Sequence, residues 1–215
     1  MDDALFPLTL EGHGVRLEPL SPEHVPGLIA AASESRDTYG LTGVPHGEAA
    51  TRAYVARALD QAARGLAVPF ATVSLRAKRI VGSTRFLNLE RWSWPGAPAE
   101  PVPAGPDAVE IGATWLAASA QRTHVNTAAK LLMLAQAFEV WRVRRVSLKT
   151  DARNQRSRAN IERIGGQLDG IARAHSPAYD GGVRDSALYA ILPSEWPAIR
   201  ARLEGRLTRG GTASP

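Results

Sequence analysis

Alternating apolar and polar positions mark the first element: HGVRLEPL, His13 to Leu20, reads as a strand with one face inward. Ser21 then supplies an N-cap, Pro22 a first helical position and Glu23 a first-turn acid, so a helix is expected next. After a loop over Gly40 to Gly47, apolar residues at Ala50, Tyr54, Val55, Ala58, Leu59 and Ala62 fall on one helical stripe. That stripe predicts a helix over Glu48 to Arg64, stopped by Gly65. Ala67 to Leu75 and Arg79 to Leu89 read as a hairpin turning near Arg76 to Lys78. Pro95, Pro98, Pro101, Pro103 and Pro106 exclude a helix or inner strand between Trp92 and Asp107, leaving a long surface loop. Trp92 and Trp94 in that loop either fold back onto the core, the reading preferred, or wall a binding cleft.

The second half alternates element types. EIGATWLA, Glu110 to Ala117, reads as a strand, and after a polar turn TAAKLLMLAQAFEV carries a strongly apolar helical face as far as Val140. Arg145 to Thr150 is a short strand, and Gln155 to Arg163 a helix ended by Gly165 and Gly166. Gln167 to His175 and Val183 to Leu192 pair around Asp180-Gly181-Gly182, a hairpin signal. A last helix starts at Ser194 and is expected to end near Gly205, with a flexible tail over 206–215. Strands and helices mixed in this order give an α/β chain. Without repeats, one domain over 1–215 is expected, its core spanning about 13–203.

The order strand, loop, helix around Ala120 to Val140 changes the picture from fold to chemistry. A helix start leaves N–H groups unpaired and carries partial positive charge, so it can cradle phosphate oxygens. Gln121 and Arg122 lie in the same loop, which points to a pyrophosphate-bearing ligand. Charge reinforces this. The chain holds 26 Lys and Arg against 21 Asp and Glu, and its pI is about 10.1. Between Trp141 and Gly165 stand Arg142, Arg144, Arg145, Lys149, Arg153, Arg156, Arg158 and Arg163 against Asp151 and Glu162. A small polyanion beside the phosphate helix explains that clustering, as would nucleic acid or a merely solvated face. No nucleic-acid recognition motif is visible. The 215 residues include no cysteine, which excludes disulfides and acyl-enzyme chemistry through sulfur, and the five histidines show no metal-ligand spacing. With no secretory signal and no apolar run near the roughly 20 residues that span a bilayer, a soluble, cytoplasmic protein is expected.

Three segments together resemble a known family: EIGATWLA, the loop QRTHVN before TAAKLLMLAQAFE, and VSLKTDARNQRSRANIERIGG. Over His13 to Leu203 the chain resembles the GCN5-related N-acetyltransferases (GNAT), and within them the branch of ribosomal-protein alanine acetyltransferases. The resemblance implies a GNAT fold, a mostly antiparallel twisted sheet of about seven strands flanked by helices. It implies acetyl-CoA as cosubstrate, no metal, and a primary amine as acceptor. Pantetheine would pair with the edge of Ile111, Ala113, Trp115 and Leu116, where this strand splays from the next. Pyrophosphate would sit on the N–H groups of His124, Val125, Asn126, Thr127 and Ala128, with Gln121, Arg122 and Thr123 beside them in the loop. Asn154, Ser157 and Arg158 would complete the cofactor site. The family's loop is usually Arg/Gln, two residues, Gly, one residue, Gly/Ala; here His124 and Asn126 occupy the small positions.

The chemistry then assigns roles. An amine must lose a proton to attack a thioester, so a base is useful. Glu110, at the start of the cofactor strand where the resemblance implies a catalytic Glu, is the leading candidate and Asp151 the second, while a strand-end glutamate paired with one of the many arginines is the bland alternative. Ser157 is the hydroxyl available to the leaving thiolate, or else it caps its helix. His175 faces the cleft or, preferably, is structural. Transfer is expected to be direct, in a ternary complex. A protein N-terminal α-amine is the acceptor the branch suggests. A polyamine or aminoglycoside would need an acidic cleft, for which Glu48, Glu90, Glu100, Asp107 and Asp180 are the available acids. A non-catalytic acyl-CoA-binding regulator is the third reading. No membrane partner is expected, and a homodimer is compatible with the sequence.

Overall fold

The structure, a computed structural model, describes residue 5 and residues 7–96 and 105–211. Strands β1 (Leu10–Gly12) and β2 (Val15–Pro19) form a hairpin turned by His13 and Gly14, both at positive φ. A 3-10 turn, Pro22–His24, leads into α1 (Val25–Ser33), followed by α2 (Gly47–Ala63). Strands β3 (Ala67–Ser74), β4 (Arg79–Glu90) and β5 (Ala108–Leu116) come next. Helix α3 (Val125–Ala135) ends in a π turn over Gln136–Val140. Then follow β6 (Arg145–Asp151), α4 (Gln155–Ile164), β7 (Gln167–Pro177), β8 (Val183–Ile191) and α5 (Trp196–Gly211).

Among the described residues the strands form one eight-stranded sheet in the order β1-β2-β3-β4-β5-β6-β8-β7. Every neighbouring pair is antiparallel except β5 with β6. The expected count of about seven falls short by β1, whose three residues are too few to display an alternation. Side chains alternate across β4: Ser83 accepts a hydrogen bond from Tyr54 of α2, while Thr84 accepts one from Lys130 of α3. Helices α1 and α2 therefore cover one face and α3 the other, where α5 packs against it. Helix α4 lies beside α3, tied to it by Asn126 and Asn160. The core fills both layers, with Phe70, Phe86, Leu28, Met133 and Leu203 fully buried.

Two expectations change. The last helix runs through Gly205 to Gly211. A mid-helix glycine costs about 1 kcal/mol, and burial of Leu203 and Leu207 on either side of it outweighs that. Trp92 and Trp94 neither join the core nor wall the cleft. Their rings pack together at 6.0 Å and are 40% and 37% exposed, with the Arg144 guanidinium 4.9 Å from the Trp94 ring. Buried Asp107 anchors this corner by accepting the Trp92 backbone N–H at 2.9 Å. Residues 97–104 of the loop, Glu100 included, and 212–215 of the expected tail lie outside the described residues. Among the described residues no helix is long and apolar enough to cross a membrane.

Helical continuation past Gly205 is testable: Leu207→Ala should lower the unfolding free energy by about 2 kcal/mol in denaturant titration. An unchanged midpoint would mean that the helix ends where the sequence alone suggests.

Candidate active site

Strands β5 and β6 share three residue pairs, Ala108 with Arg145, Val109 with Val146 and Glu110 with Ser147. Beyond Glu110 they part. An extra residue in β5 causes the parting: between the pairs Ser83–Trp115 and Arg85–Gly112 the strand carries one more residue than β4, and Ala113 there takes φ +48°. Such a bulge bends the strand and sharpens its twist, so β5 follows β4 while β6 follows β8. Past the vertex, the β6-facing backbone groups of β5 must find partners other than β6.

Glu110 sits at the vertex, 7% exposed. Its Oε2 accepts from Asn88 Nδ2 at 2.8 Å and pairs with Lys149 Nζ at 2.9 Å. Asn88 reaches it from a second bulge, on β4, at φ +47°. The cation opposite Glu110 is thus a lysine, not one of the clustered arginines. Oε1 has no protein partner among the described residues and leans over Gly112, 2.8 Å from the place a Cβ would occupy there. Missing that side chain, Gly112 keeps the space around the free oxygen open.

The loop before α3 is more built than its sequence suggests. Gln121 is a strut: its Nε2 donates to Leu116 O (2.9 Å) and Thr38 Oγ1 (3.0 Å), and its Oε1 accepts from Arg156 (3.3 Å). Arg122 turns the chain at φ +60°. Val125 N–H is taken by Thr123 Oγ1 and Ala128 N–H by His124 O, whereas those of Asn126 and Thr127 have no partner among the described residues. Unpaired N–H groups at a helix start are suited to an anion. His124 does not crowd them. Its ring points to the β1–β2 turn, where a Cβ on Gly14 would come within 3.4 Å of Nε2.

Asn154 caps α4, accepting Ser157 N–H at 3.0 Å, and Ser157 lines the cleft beside it. Arg156, Asn160 and Arg163 follow on the same side at helical spacing, and all three line the cleft. Arg163 donates to Thr127 Oγ1 at 3.1 Å and to Asn160 Oδ1. Sequence reasoning missed Arg156, Asn160 and Arg163 as site residues, although their mutual helical spacing was a usable signal. Two positions along a helix turn a side chain by about 200°, and so Arg158 points away, to Tyr189 OH and Ala152 O. Asp151 also stays outside the cleft. It is 2% exposed, paired with Arg153 at 2.7 Å, and the bonds from Arg153 hold its carboxyl below the usual range. His175 is bonded to Ser186 at 3.0 Å, in a structural setting.

Together these elements enclose one cleft of about 1180 Å³. Glu110, Ile111, Ala113, Trp115, Leu116, Gln121, Arg122, Thr123, Asn126, Asn154 and Ser157 line it; Asp151, His124, Val125, Thr127 and Arg158 do not. Among its described lining residues are eight cations and one acid, Glu110. Glu48 is instead paired with Arg52, Asp180 with Arg153, and Glu90 accepts from Trp92. Metal-binding groups of three or more His, Asp or Glu are absent among the described residues.

Residues 15–167 match the family model described as the acetyltransferase (GNAT) domain. The chain belongs to that family. No curated protein matches its sequence. Among solved structures, a T. thermophilus protein assigned as an acetyltransferase is 33% identical, covering 94% of this chain and 98% of its own, with TM-score 0.76. A GCN5-related N-acetyltransferase from Brucella melitensis is 26% identical over 93% and 85% of the two chains, TM-score 0.78. Mycobacterium smegmatis RimJ, solved in complex with CoA-disulfide, shares the fold at 20% identity, 94% and 95% coverage and TM-score 0.74. The protein is a GNAT enzyme, an acyl-CoA-dependent N-acyltransferase, and its sheet is the mixed GNAT sheet.

One cation of the GNAT cleft is unusual. Lys130, 3% exposed, has no carboxylate partner among the described residues and donates to Thr114 Oγ1 (2.7 Å) and Thr84 Oγ1 (3.2 Å), tying α3 to the bulged part of β5. Burial pulls its pKa down to about 7. The unfolded chain keeps this lysine protonated to about 10.5, so between those values it binds more protons than the folded state. The penalty of burying the charge is complete below about pH 7 and fades as pH rises through that window. Lys130→Met should therefore gain stability over the wild type most at about pH 6, with the margin shrinking towards pH 10 in denaturant titrations. A margin independent of pH would refute the assignment.

Proposed function

We propose that this enzyme moves an acetyl group from acetyl-CoA to a primary amine by direct attack in a ternary complex. One observation carries the reading: a carboxylate with one oxygen tied and the other uncommitted stands at the vertex of two parting strands. The cleft that opens there also reaches the start of α3, where Asn126, whose N–H is partnerless among the described residues, lines it. The residues fit the cosubstrate. Asn126 N–H with Arg122 and Arg156 suits a pyrophosphate. The free edge of Ile111 to Leu116 suits the amides of a pantetheine arm by strand addition. Acetyl-CoA supplies an activated acyl carbon and a thiolate leaving group.

The chain's own groups do the rest. Glu110 Oε1 takes the proton that the attacking nitrogen loses as the C–N bond forms. Lys149 and Asn88 hold Oε2, so the basic oxygen is fixed in direction. Ser157 can donate a hydrogen bond to the sulfur as the C–S bond breaks and CoA leaves as its thiolate. Without cysteine, no sulfur-linked acyl-enzyme can form. The acceptor is an α-amine, of a protein N-terminus or a free molecule. A polycationic acceptor is disfavoured, because Glu110 is the one acid among the described residues that line the cleft.

Thiol release from acetyl-CoA in the presence of α-amines should therefore be catalytic, read without background from a cysteine-free chain. Glu110→Gln should lower kcat/KM by about 100-fold or more near pH 7, with acetyl-CoA affinity unchanged and partial recovery as pH approaches the amine's own pKa. Full activity in that variant at neutral pH would remove Glu110 as the base.

A further inference from the structure

We infer that the acceptor is an anionic amine, whose carboxylate close to the nucleophilic nitrogen is bound by Arg85. This deepens the proposed function and rests on it. Arg85 of β4 stands opposite Gly112 of β5, and Leu87 opposite Glu110. Paired residues share a face, so Arg85, Gly112 and Glu110 look out on the same side of the sheet, the side covered by α2. Arg85 and Glu110 are diagonal neighbours across the two strands, about 7–8 Å apart at the backbone. A small molecule carrying an amine and a carboxylate can reach both.

The guanidinium of Arg85 is 6% exposed and lines the cleft, yet no carboxylate pairs with it among the described residues. Its protein contacts are Gln61 Oε1 at 3.1 Å and the face of the Tyr54 ring at 4.7 Å. Nε is buried without a hydrogen-bond partner. A buried cation normally has a counter-charge, because desolvation is costly without one. A second buried donor on the same face is also unmet: Trp115 Nε1, whose residue pairs with Ser83, has no acceptor. Arg57 and Arg184 add positive charge to the cleft, and its one acid is already held by Lys149. Unmet donors and surplus cations ask for a ligand that brings acceptor oxygens and negative charge. A carboxylate does so, and the arginine fork matches its two oxygens.

The carboxylate could belong to a free amino acid or to an acidic first residue of a peptide, and two arms of one experiment separate these sources. Thiol-release kinetics would compare alanine with alaninamide, and C-terminally amidated peptides beginning with Asp with the same peptides beginning with Asn. Each pair would be run on the wild type and on Arg85→Gln, so that differences in amine acidity cancel. In the arm holding the true acceptor, Arg85→Gln should lower kcat/KM for the carboxylate member roughly 10- to 100-fold, the range for a hydrogen bond to a charged group, and leave the amide member unchanged. Arg85→Lys should restore part of the loss. Should Arg85→Gln fail to fold, competition on the wild type decides. The desamino carboxylate, propionate or a succinyl-capped peptide, should compete with the acceptor, and its amide should not. Equal loss for both members in both arms, or competition by neither carboxylate, would overturn the inference while leaving acetyl transfer standing. Absence of turnover with every amine, despite acetyl-CoA binding, would overturn the parent reading and this one with it.

Discussion

A parallel pair of strands held together over three residues is the constraint on which the rest depends. Had β5 and β6 paired along their full lengths, their facing backbone groups would satisfy each other and no ligand could enter the sheet. The extra residue at Ala113 prevents that by sending β5 after β4. The bulge is braced from the far face by Lys130, through Thr114 and Thr84, so one side of the sheet holds open what the other side uses. Bracing with an uncompensated buried lysine is expensive, which suggests that the shape of the bulge matters more here than the last few kcal/mol of stability.

The two ends of the cleft are cationic for different reasons. At the α3 and α4 end, Arg122, Arg156 and Arg163 surround a helix start, the arrangement expected for phosphate. At the α2 end, Arg85 stands far from any helix start and has no carboxylate partner among the described residues. A single basic surface for nucleic acid would be spread over exposed positions, whereas Arg85 and Lys130 are buried. The positive charge around the cleft is therefore of two kinds: Arg122 and Arg156 are exposed, whereas Arg85 and Lys130 lie inside.

Much of this was legible beforehand. Periodicity located α2 and the β3–β4 hairpin to within a few residues, because each buries an apolar stripe, while glycine signals placed the end of α4 and the β7–β8 hairpin. Strand β1 was hidden by its length, and the end of α5 by a glycine that tertiary packing overrides. Within the site, Glu110, Asn154 and Ser157 were recognisable from motif position. Arg158 was not distinguishable from Arg156 by residue type, only by the angle between them on the helix. Arg85 gave no local signal at all. An arginine in a strand usually points to solvent, and its burial follows from α2 lying across β4, a long-range fact that no window of sequence contains.

The loop before α3 shows how a motif can change its residues and keep its physics. A glycine in such a loop serves close approach of the backbone to an anion, and replacing it by histidine should bring a side chain into the way. Here the side chain leaves in the other direction, towards the β1–β2 turn, where it lies near Gly14. Asn126 needs no such compensation, since its amide is directed to Asn160 at 3.2 Å and its N–H stays available. What an anion requires there is unpaired N–H groups with open space before them, and that requirement can be met from either side of the loop.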